Sequence, residues 1–163
     1  MSDDGLMNDN KGFTMKALFK SSLTIIGIIG FATTVKAASN TPVGYWRTEE
    51  GKAKVQVYEC GTKQICGKII ELKEPKDPHT KKDKTDPDGK PMIGMEIMKN
   101  FKHNEDQKWD DGTIYDPKEG KTYSATFELQ KGGNAMALRG YILIILIGKT
   151  QTWTRTTETD PLK

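Results

Sequence analysis

Strict alternation along residues 122–129 constrains the fold of this chain more than any other feature. Tyr123, Ala125, Phe127 and Leu129 occupy every second position, and hydroxyl-bearing or acidic residues fill the positions between them. Because successive side chains of a strand point to opposite faces, this pattern predicts a half-buried β-strand. The turn residues 132–134 (GGN) follow at once and predict a hairpin.

Seven further segments are predicted as strands separated by turn residues, and the chain past residue 40 shows no long helical period. In one of them Val55 and Val57 share a face, with Lys54 and Gln56 on the other. The seven segments are 44–48, 53–58, 65–72, 92–101, 112–115, 135–142 and 149–157. Eight short strands with hairpin-length links predict an all-β fold, a small antiparallel up-and-down β-barrel. A barrel of this size is either packed with side chains or holds one small ligand. Short strands with polar outward faces and no aromatic girdles disfavour an outer-membrane barrel.

One connection, residues 73–91, is longer than most links within a compact domain. It contains Pro75, Pro78, Pro87 and Pro91, which lack a backbone donor and fix φ, so it is predicted to be a loop. Lysines and acidic residues are mixed along it, which is typical of a solvated surface. Loops of this length are usually functional or mobile.

The N-terminal segment has the order of a secretory signal peptide. A short basic stretch (15–20) precedes an apolar run (23–35), and small residues lie at Val35 to Ala37. The run is shorter than the roughly 20 residues that span a bilayer, so no stable membrane anchor is expected after cleavage. We predict cleavage near Ala37, with residues 1–37 an N-terminal extension and signal peptide and 38–163 a single domain. Met15 is a candidate for the true initiator, because residues 1–14 are polar.

Both cysteines, Cys60 and Cys66, lie in the part predicted to be exported. An oxidising periplasmic or extracellular compartment favours a disulfide between them. Their spacing, which includes Gly61, fits a bridge across a β-hairpin turn. A redox-active pair is disfavoured, because the spacing is not C-x-x-C.

Composition and motifs argue against several functional classes. The chain has 25 basic and 22 acidic residues, too even a balance for a dedicated nucleic-acid binder. His79 and His103 have no partners at metal-ligand spacing, and no nucleophile or nucleotide-binding fingerprint is present. Asp83, Asp86 and Asp88 resemble part of a calcium loop that lacks its closing glutamate. We therefore expect no metal, no cofactor and no enzymatic activity.

Several motifs, in order, resemble the bacterial envelope family called domain of unknown function 2147. They are residues 44–48, 60–61 with 65–67, 72–75 with 77–78, 114–117, 120–123, 139–141 and 150–155. The resemblance covers nearly all of the chain after the signal peptide. It implies an exported domain with a lipocalin/calycin-like barrel, and it implies no particular activity.

The resemblance also gives structural roles to residues near the two ends of the barrel. Lipocalin-like barrels carry G-x-W in the first strand and a basic residue in the last, here Trp46 and Arg155. We expect the guanidinium to cover the indole, a structural contact rather than a catalytic one. Trp153 is assigned a structural role in the same strand.

Residues 142–147, six consecutive aliphatics, depart from the family, which usually has a Gly- or Pro-containing link there. A hairpin buried on both sides, an apolar rim or contact surface, and an aggregation-prone segment all remain open.

Two functions from different classes follow from this sequence. The first is binding of a small apolar or amphipathic ligand, with Tyr123, Phe127, Leu138 and Ile142 as candidate lining residues that would serve equally well in a packed core. The second is interaction with, or inhibition of, another envelope protein through the loop 73–91. A cavity in the barrel favours the first, and a filled barrel with an ordered protruding loop favours the second.

Overall fold

The computed structural model describes the backbone of residues 39–142 and 145–162, and the side chains of these residues except 142 and 145–148. The predicted signal peptide and the side chains of the apolar run 142–147 therefore lie outside the described residues. Eight strands are present: β1 (Gly44–Arg47), β2 (Ala53–Cys60), β3 (Gln64–Leu72), β4 (Glu96–Glu105), β5 (Lys108–Asp116), β6 (Lys121–Gln130), β7 (Ala135–Ile142) and β8 (Ile145–Thr156). None of the described residues forms a helix long and apolar enough to cross a membrane.

The eight strands form a closed antiparallel barrel in which each strand pairs with the next and β8 pairs with β1. The predicted up-and-down barrel is confirmed. The β1–β2, β3–β4 and β5–β6 links lie at one end, which we name the open end, together with the end of β7 and the start of β8. The β2–β3, β4–β5 and β6–β7 turns lie at the opposite, closed end. Closure leaves no free sheet edge where β1 and β8 pair, between Tyr45–Arg47 and Thr154–Thr156.

The inward faces follow the alternation in the sequence. Along β6, Ala125, Phe127 and Leu129 are buried and the residues between them are more exposed. Along β2, Val55 and Val57 are buried inside the barrel. The period of two therefore placed the core residues of these strands correctly.

The predicted strand 92–101 is displaced in the structure. β4 begins at Glu96, because residues 92–95 turn back toward β3, where the Gly94 amide donates to the Ile69 carbonyl at 2.7 Å. β5 likewise begins at Lys108, four residues before the predicted 112–115 segment. The first residues of β5 are mostly polar and show no alternation, so the sequence did not predict this part of the strand, although it contains the buried Trp109.

Facing irregularities in β4 and β5 explain why their apolar residues do not alternate. Asn100 and Asp111 have φ values of 60° and 55°, and the register shifts between Trp109 and Gly112. On each strand two residues that are three positions apart, and not two, therefore face the core. They are Met98 and Phe101 on β4, and Trp109 and Gly112 on β5. The ring of Phe101 then lies directly over Gly112.

Large side chains fill the closed half of the barrel. Phe127 stacks on Trp109 with ring centroids 4.9 Å apart and lies 5.1 Å from the Phe101 ring. Trp46, Phe101 and Met136 are completely buried in the same cluster. Each buried side chain of this size contributes roughly 1.5–3 kcal/mol to the free energy of unfolding, so this half holds most of the core.

Arg155 fastens the closed end where the barrel closes. Its Cζ lies 4.3 Å from the centroid of the Trp46 ring, and its guanidinium donates to the Val43, Thr41 and Gly133 carbonyls at 3.0, 2.6 and 2.5 Å. Gly44, with φ of 136°, leaves space for this group, since a Cβ there would lie 3.0 Å from Nη1. The contact expected between Trp46 and Arg155 is present in the structure, and it joins the first strand, the last strand and the β6–β7 turn.

Two further contacts fix the hairpins and the chain end. Cys60 and Cys66 form a disulfide across the β2–β3 turn, as predicted, with Cα atoms 5.7 Å apart. Lys54 points outward yet is only 1% exposed, because the C-terminal tail covers it. Its ammonium lies 2.7 Å from Glu71 and donates to the Glu158 carbonyl at 2.9 Å, so the buried charge is paired.

The contact between Phe101 and Gly112 predicts a position-specific cost of added bulk. In Gly112→Ala the new Cβ would overlap the Phe101 ring, and we expect a loss of about 1–3 kcal/mol in the free energy of unfolding. Gly140→Ala is the matched control, because its Cβ would meet Ile114 and Tyr123 at ordinary distances of 3.5 and 3.8 Å. Chemical denaturation of both variants measures the difference, and equal stabilities would contradict this account of the β4–β5 packing.

Candidate ligand-binding site

A cavity of about 560 Å³ occupies the open half of the barrel. Its size falls within the range of roughly 300–1,000 Å³ typical of small-molecule sites. Its apolar wall comes from β3, β4, β5, β6, β7 and β8 and from the end of the long loop. The wall residues are Ile69, Leu72, Met92, Ile97, Ile114, Tyr123, Leu138 and Trp153.

A row of small inward residues explains why this half is hollow. Gly112, Ala125 and Gly140 lie opposite one another across β5, β6 and β7. The Phe101 ring takes the space over Gly112, whereas Gly140 lines the cavity. The volume that a larger residue would fill at Gly140 is therefore left to the cavity.

The structure places the four predicted lining residues differently. Tyr123 and Leu138 line the cavity. Phe127 does not, which corrects that assignment: it is 1% exposed between Trp109 and Phe101 in the filled half. The side chain of Ile142 lies outside the described ones. Tyr123 and Phe127 are four residues apart on the same face of β6, yet one lies in the cavity wall and the other in the core. Alternation alone does not make this distinction.

Sequence analysis missed several residues of the wall. Met92 was assigned to a strand, yet it is a buried loop residue at the cavity. Ile114 was predicted in a strand without an assigned face. Gln151 lies in a run of threonines, and its only signal was the alternation with Trp153 and Arg155 on the inner face of β8.

Gln151 is the polar group set deepest among the wall residues of β8. Its Oε1 accepts a hydrogen bond from Trp153 Nε1 at 3.1 Å. That bond satisfies the indole, which also lines the cavity, and it leaves the amide Nε2 without a hydrogen bond to another described residue. The cavity therefore presents a donor on its β8 wall.

Charged residues surround the mouth of the cavity, and three lysines among them, Lys52, Lys118 and Lys149, lie around the Glu50 carboxylate. Lys52 forms an ion pair with Glu50, and Lys149 and Lys118 add their attraction. The pKa of Glu50 is lowered by these ammonium groups, with the Lys52 hydrogen bond the largest cause. The ammonium groups come from the β1–β2 turn, the β5–β6 turn and β8.

The other carboxylates of the mouth are already hydrogen-bonded. Asp116 accepts from the Lys118 amide at 2.8 Å, and Glu119 accepts from the Tyr123 hydroxyl at 2.7 Å. Glu49 accepts weakly from the Thr152 amide at 3.4 Å. These carboxylates therefore stabilise the turns and strands next to them through their hydrogen bonds.

The long loop 73–91 is fixed to the barrel beside this mouth. Asp86, 5% exposed, accepts from the Lys90 and Asp88 amides at 2.8 and 3.0 Å and from the Tyr115 hydroxyl at 2.7 Å. Short bridges between Lys76 and Asp83 and between Thr85 and Pro91 fold the loop on itself. It lacks strands, as predicted, and its internal bonds give it a defined shape. A groove of about 390 Å³ lies under it on the outer surface.

No cluster of three or more His, Cys, Asp or Glu side chains among the described residues could hold a metal ion. His103 packs edge-on against Trp109 and contacts the Asp106 carbonyl at 2.8 Å. The backbone amide of His79, in the long loop, donates to the Asp77 carboxylate, which caps the turn. Both histidines have local structural contacts away from the cavity.

An eight-stranded closed barrel with one end filled and a cavity at the other defines the lipocalin-like class of small β-barrels. A solved structure described as "Protein HP1028 from the human pathogen Helicobacter pylori belongs to the lipocalin family" is similar to this chain. It superposes with a TM-score of 0.56 at 19% sequence identity, covering 72% of this chain and 84% of that one. At that identity the likeness concerns the fold.

The family is given by the sequence match. Residues 44–155 match the model of the family described as "Uncharacterized protein conserved in bacteria (DUF2147)". The match covers more than half of the chain, and this protein belongs to that family. Among curated proteins, none matches the chain.

The bond between Asp86 and Tyr115 predicts a titration. Hydrogen bonding to Asp86 is the main cause that raises the pKa of Tyr115 to about 12, and the same bond lowers the pKa of Asp86. The Tyr115 contribution to stability is therefore full below its unfolded pKa of about 10 and lost as pH rises through about 12. The Asp86 contribution is full above its unfolded value and lost as pH falls through its lowered folded value.

We expect Asp86→Ala to return the Tyr115 pKa toward 10, measured by phenolate absorbance as the difference from Tyr115→Phe. Asp83→Ala is the matched control, because Asp83 is exposed on the same loop and is not among the carboxylates that raise the Tyr115 pKa. An unchanged Tyr115 titration in Asp86→Ala would show that the loop is not held by this bond.

Proposed function

We propose that this protein is exported and binds a small apolar or amphipathic molecule in the open half of its barrel. The observation that carries the proposal is the cavity of about 560 Å³, set against a closed half packed with large side chains. If stability alone were selected, larger side chains would fill this space, because an empty volume loses packing contacts and lowers the free energy of unfolding. The lipocalin-like fold is consistent with the same role, since barrels of this size have room for one small ligand where side chains do not fill them.

The wall of the cavity supports an amphipathic ligand. Its lower part is aliphatic and aromatic, with Leu138 and Trp153, and its mouth is ringed by charged residues. A few polar groups on an apolar wall fix the orientation of a ligand while burial supplies the affinity. This arrangement supports a binding role.

The first test is native mass spectrometry of protein purified from its own bacterial source. We expect extra mass that is lost on denaturation, which identifies a carried ligand. A bare polypeptide that also binds no environment-sensitive apolar dye would contradict the proposal.

Filling the cavity gives a sharper test. Gly140→Leu adds a side chain on the inner face of β7, next to Ile114 and Tyr123, and we expect it to reduce binding of an apolar fluorescent probe at least about tenfold. Ala137→Leu is the matched control, because it adds bulk to the outer face of the same strand. Circular dichroism and denaturation verify that both variants fold. Equal probe binding by the two variants would place the probe outside the barrel.

Export is supported by the signal-like N-terminal order and by the disulfide, a bond that persists in oxidising compartments. We expect protein recovered from the periplasm to begin near residue 38 and to contain no free thiol, as measured by intact mass before and after alkylation. A retained N-terminal segment or two free thiols would contradict export to an oxidising compartment.

The defined shape of the loop 73–91 favours a second candidate function, contact with another envelope protein. Asp86 and Tyr115 hold the loop beside the cavity mouth, so it presents a formed surface. Chemical cross-linking in cells, compared between the native chain and Asp86→Ala, tests this. Cross-links that depend on Asp86 would support it, and a pattern unchanged between the two would count against it.

A further inference from the structure

Three donors at the cavity have no hydrogen bond or ion pair to another described residue: the Lys118 and Lys149 ammonium groups and the Gln151 amide nitrogen. Each carboxylate of the mouth, in contrast, accepts a hydrogen bond or forms an ion pair. The mouth carries four carboxylates and three ammonium groups, so these unpaired donors, and not the net charge, would favour an acceptor group on a ligand. A ligand that complements this set needs an acceptor at one end.

Position along β8 gives this donor set an order. Lys149, Gln151 and Trp153 occupy alternate positions on the inner face of one strand, opposite Gly140, Leu138 and Met136 of β7. Residues two apart on a strand are roughly 7 Å apart, so an ammonium, an amide and an indole follow one another from mouth to floor. A polar head beside Lys149 would leave an attached tail beside Leu138 and Trp153.

Glu50 shows that the mouth already accommodates a carboxylate. It lies in the β1–β2 turn with its side chain 60% exposed, and it is not fixed in a buried network. Lys118 and Lys149 attract it from the β5–β6 turn and β8, in addition to its partner Lys52. In the protein without ligand, the exposed Glu50 carboxylate is thus attracted by the same ammonium groups that would contact an anionic ligand.

We propose that the cavity is selective for an amphiphile with a single anionic headgroup, held at the mouth by Lys118 and Lys149 and the Gln151 amide, with its apolar tail against Leu138 and Trp153. This inference rests on the proposed ligand-binding function and specifies its ligand class. Glu50 takes the place of the headgroup while the cavity is free. Charge-assisted hydrogen bonds to the headgroup add selectivity to the affinity supplied by the tail.

The test uses three probes with the same tail and different heads: dodecanoate, dodecanol and dodecylammonium. The two ionic probes are kept below their micellar concentrations and dodecanol below its solubility limit. Binding is followed by Trp fluorescence, because Trp153 lies in the wall, and by calorimetry. We expect dodecanoate to bind at least about tenfold more tightly than either other probe, and added salt to weaken that preference.

Substitutions assign the preference to these residues. Lys118→Gln combined with Lys149→Gln should remove most of the dodecanoate preference, because a carboxylate loses more affinity than a neutral hydroxyl when the two ammonium groups are removed. Lys63→Gln, in the β2–β3 turn at the closed end, is the matched control for lost charge. Glu50→Gln should strengthen dodecanoate binding, because it removes the competing internal carboxylate.

The outcomes separate the two levels of the proposal. Equal binding of all three probes, tighter binding of dodecylammonium, or an unchanged preference in the double lysine variant would overturn the anionic assignment and leave the ligand-binding function standing. Failure of all three probes to bind, together with an apolar dye that also fails, would overturn both.

Discussion

Pairing of the first strand with the last is the constraint on which the rest of this structure depends. β1 has only four residues and β8 has twelve, so three residue pairs close the barrel. Arg155 reinforces this short seam by covering Trp46 and donating to three backbone carbonyls on two other segments. Burial lowers the pKa of Arg155 from the usual arginine value, yet arginine stays cationic throughout the accessible pH range. The charge is stabilised by carbonyl oxygens and by the indole face, in place of a carboxylate partner.

Closure at one end determines how the barrel interior is divided. Trp46 belongs to the same core cluster as Phe101, Trp109 and Phe127. In it Phe127 is stacked on Trp109 and tilted against Phe101. Toward the open end, the paired positions on β6 and β7 include Ala125 and Gly140, which have too little side chain to fill the barrel interior. The filled half supplies stability, and the hollow half is free to serve binding. The two roles are separated along the barrel axis and not around it.

The open end combines two features with different origins. The long loop is folded by its own turns and held by Asp86 on Tyr115, so it brings Met92 into the wall as a fixed element. The lysines come from short links and a strand, and they meet only because all of these links lie at the same end of an up-and-down barrel. The proposed preference for an anionic head would follow from this topology, because it brings the β1–β2 turn, the β5–β6 turn and Lys149 of β8 to the same end of the barrel.

Sequence reasoning succeeded where local periodicity carries the information. Val55, Val57, Ala125 and Leu129 were placed inside the barrel by alternation, and the disulfide between Cys60 and Cys66 followed from hairpin spacing. It failed at β4 and β5, where Asn100 and Asp111 interrupt the period and bring Phe101 and Gly112 together. A positive φ at a polar residue leaves little trace in a single sequence, because Asn and Asp are common in any turn.

By itself, the amino-acid sequence determined the strands of regular alternation, the closed eight-stranded architecture and the family of this protein. Only the tertiary structure decided which inward residues are core and which are wall. Phe127 and Tyr123 have the same periodicity and aromatic character, yet Phe127 is stacked on Trp109 in the core and Tyr123 borders a cavity. The physical reason is that a side chain's face is set by its own strand, whereas the space before it is set by residues far away in sequence. Here those distant residues are Gly112, Gly140 and the loop that ends at Met92.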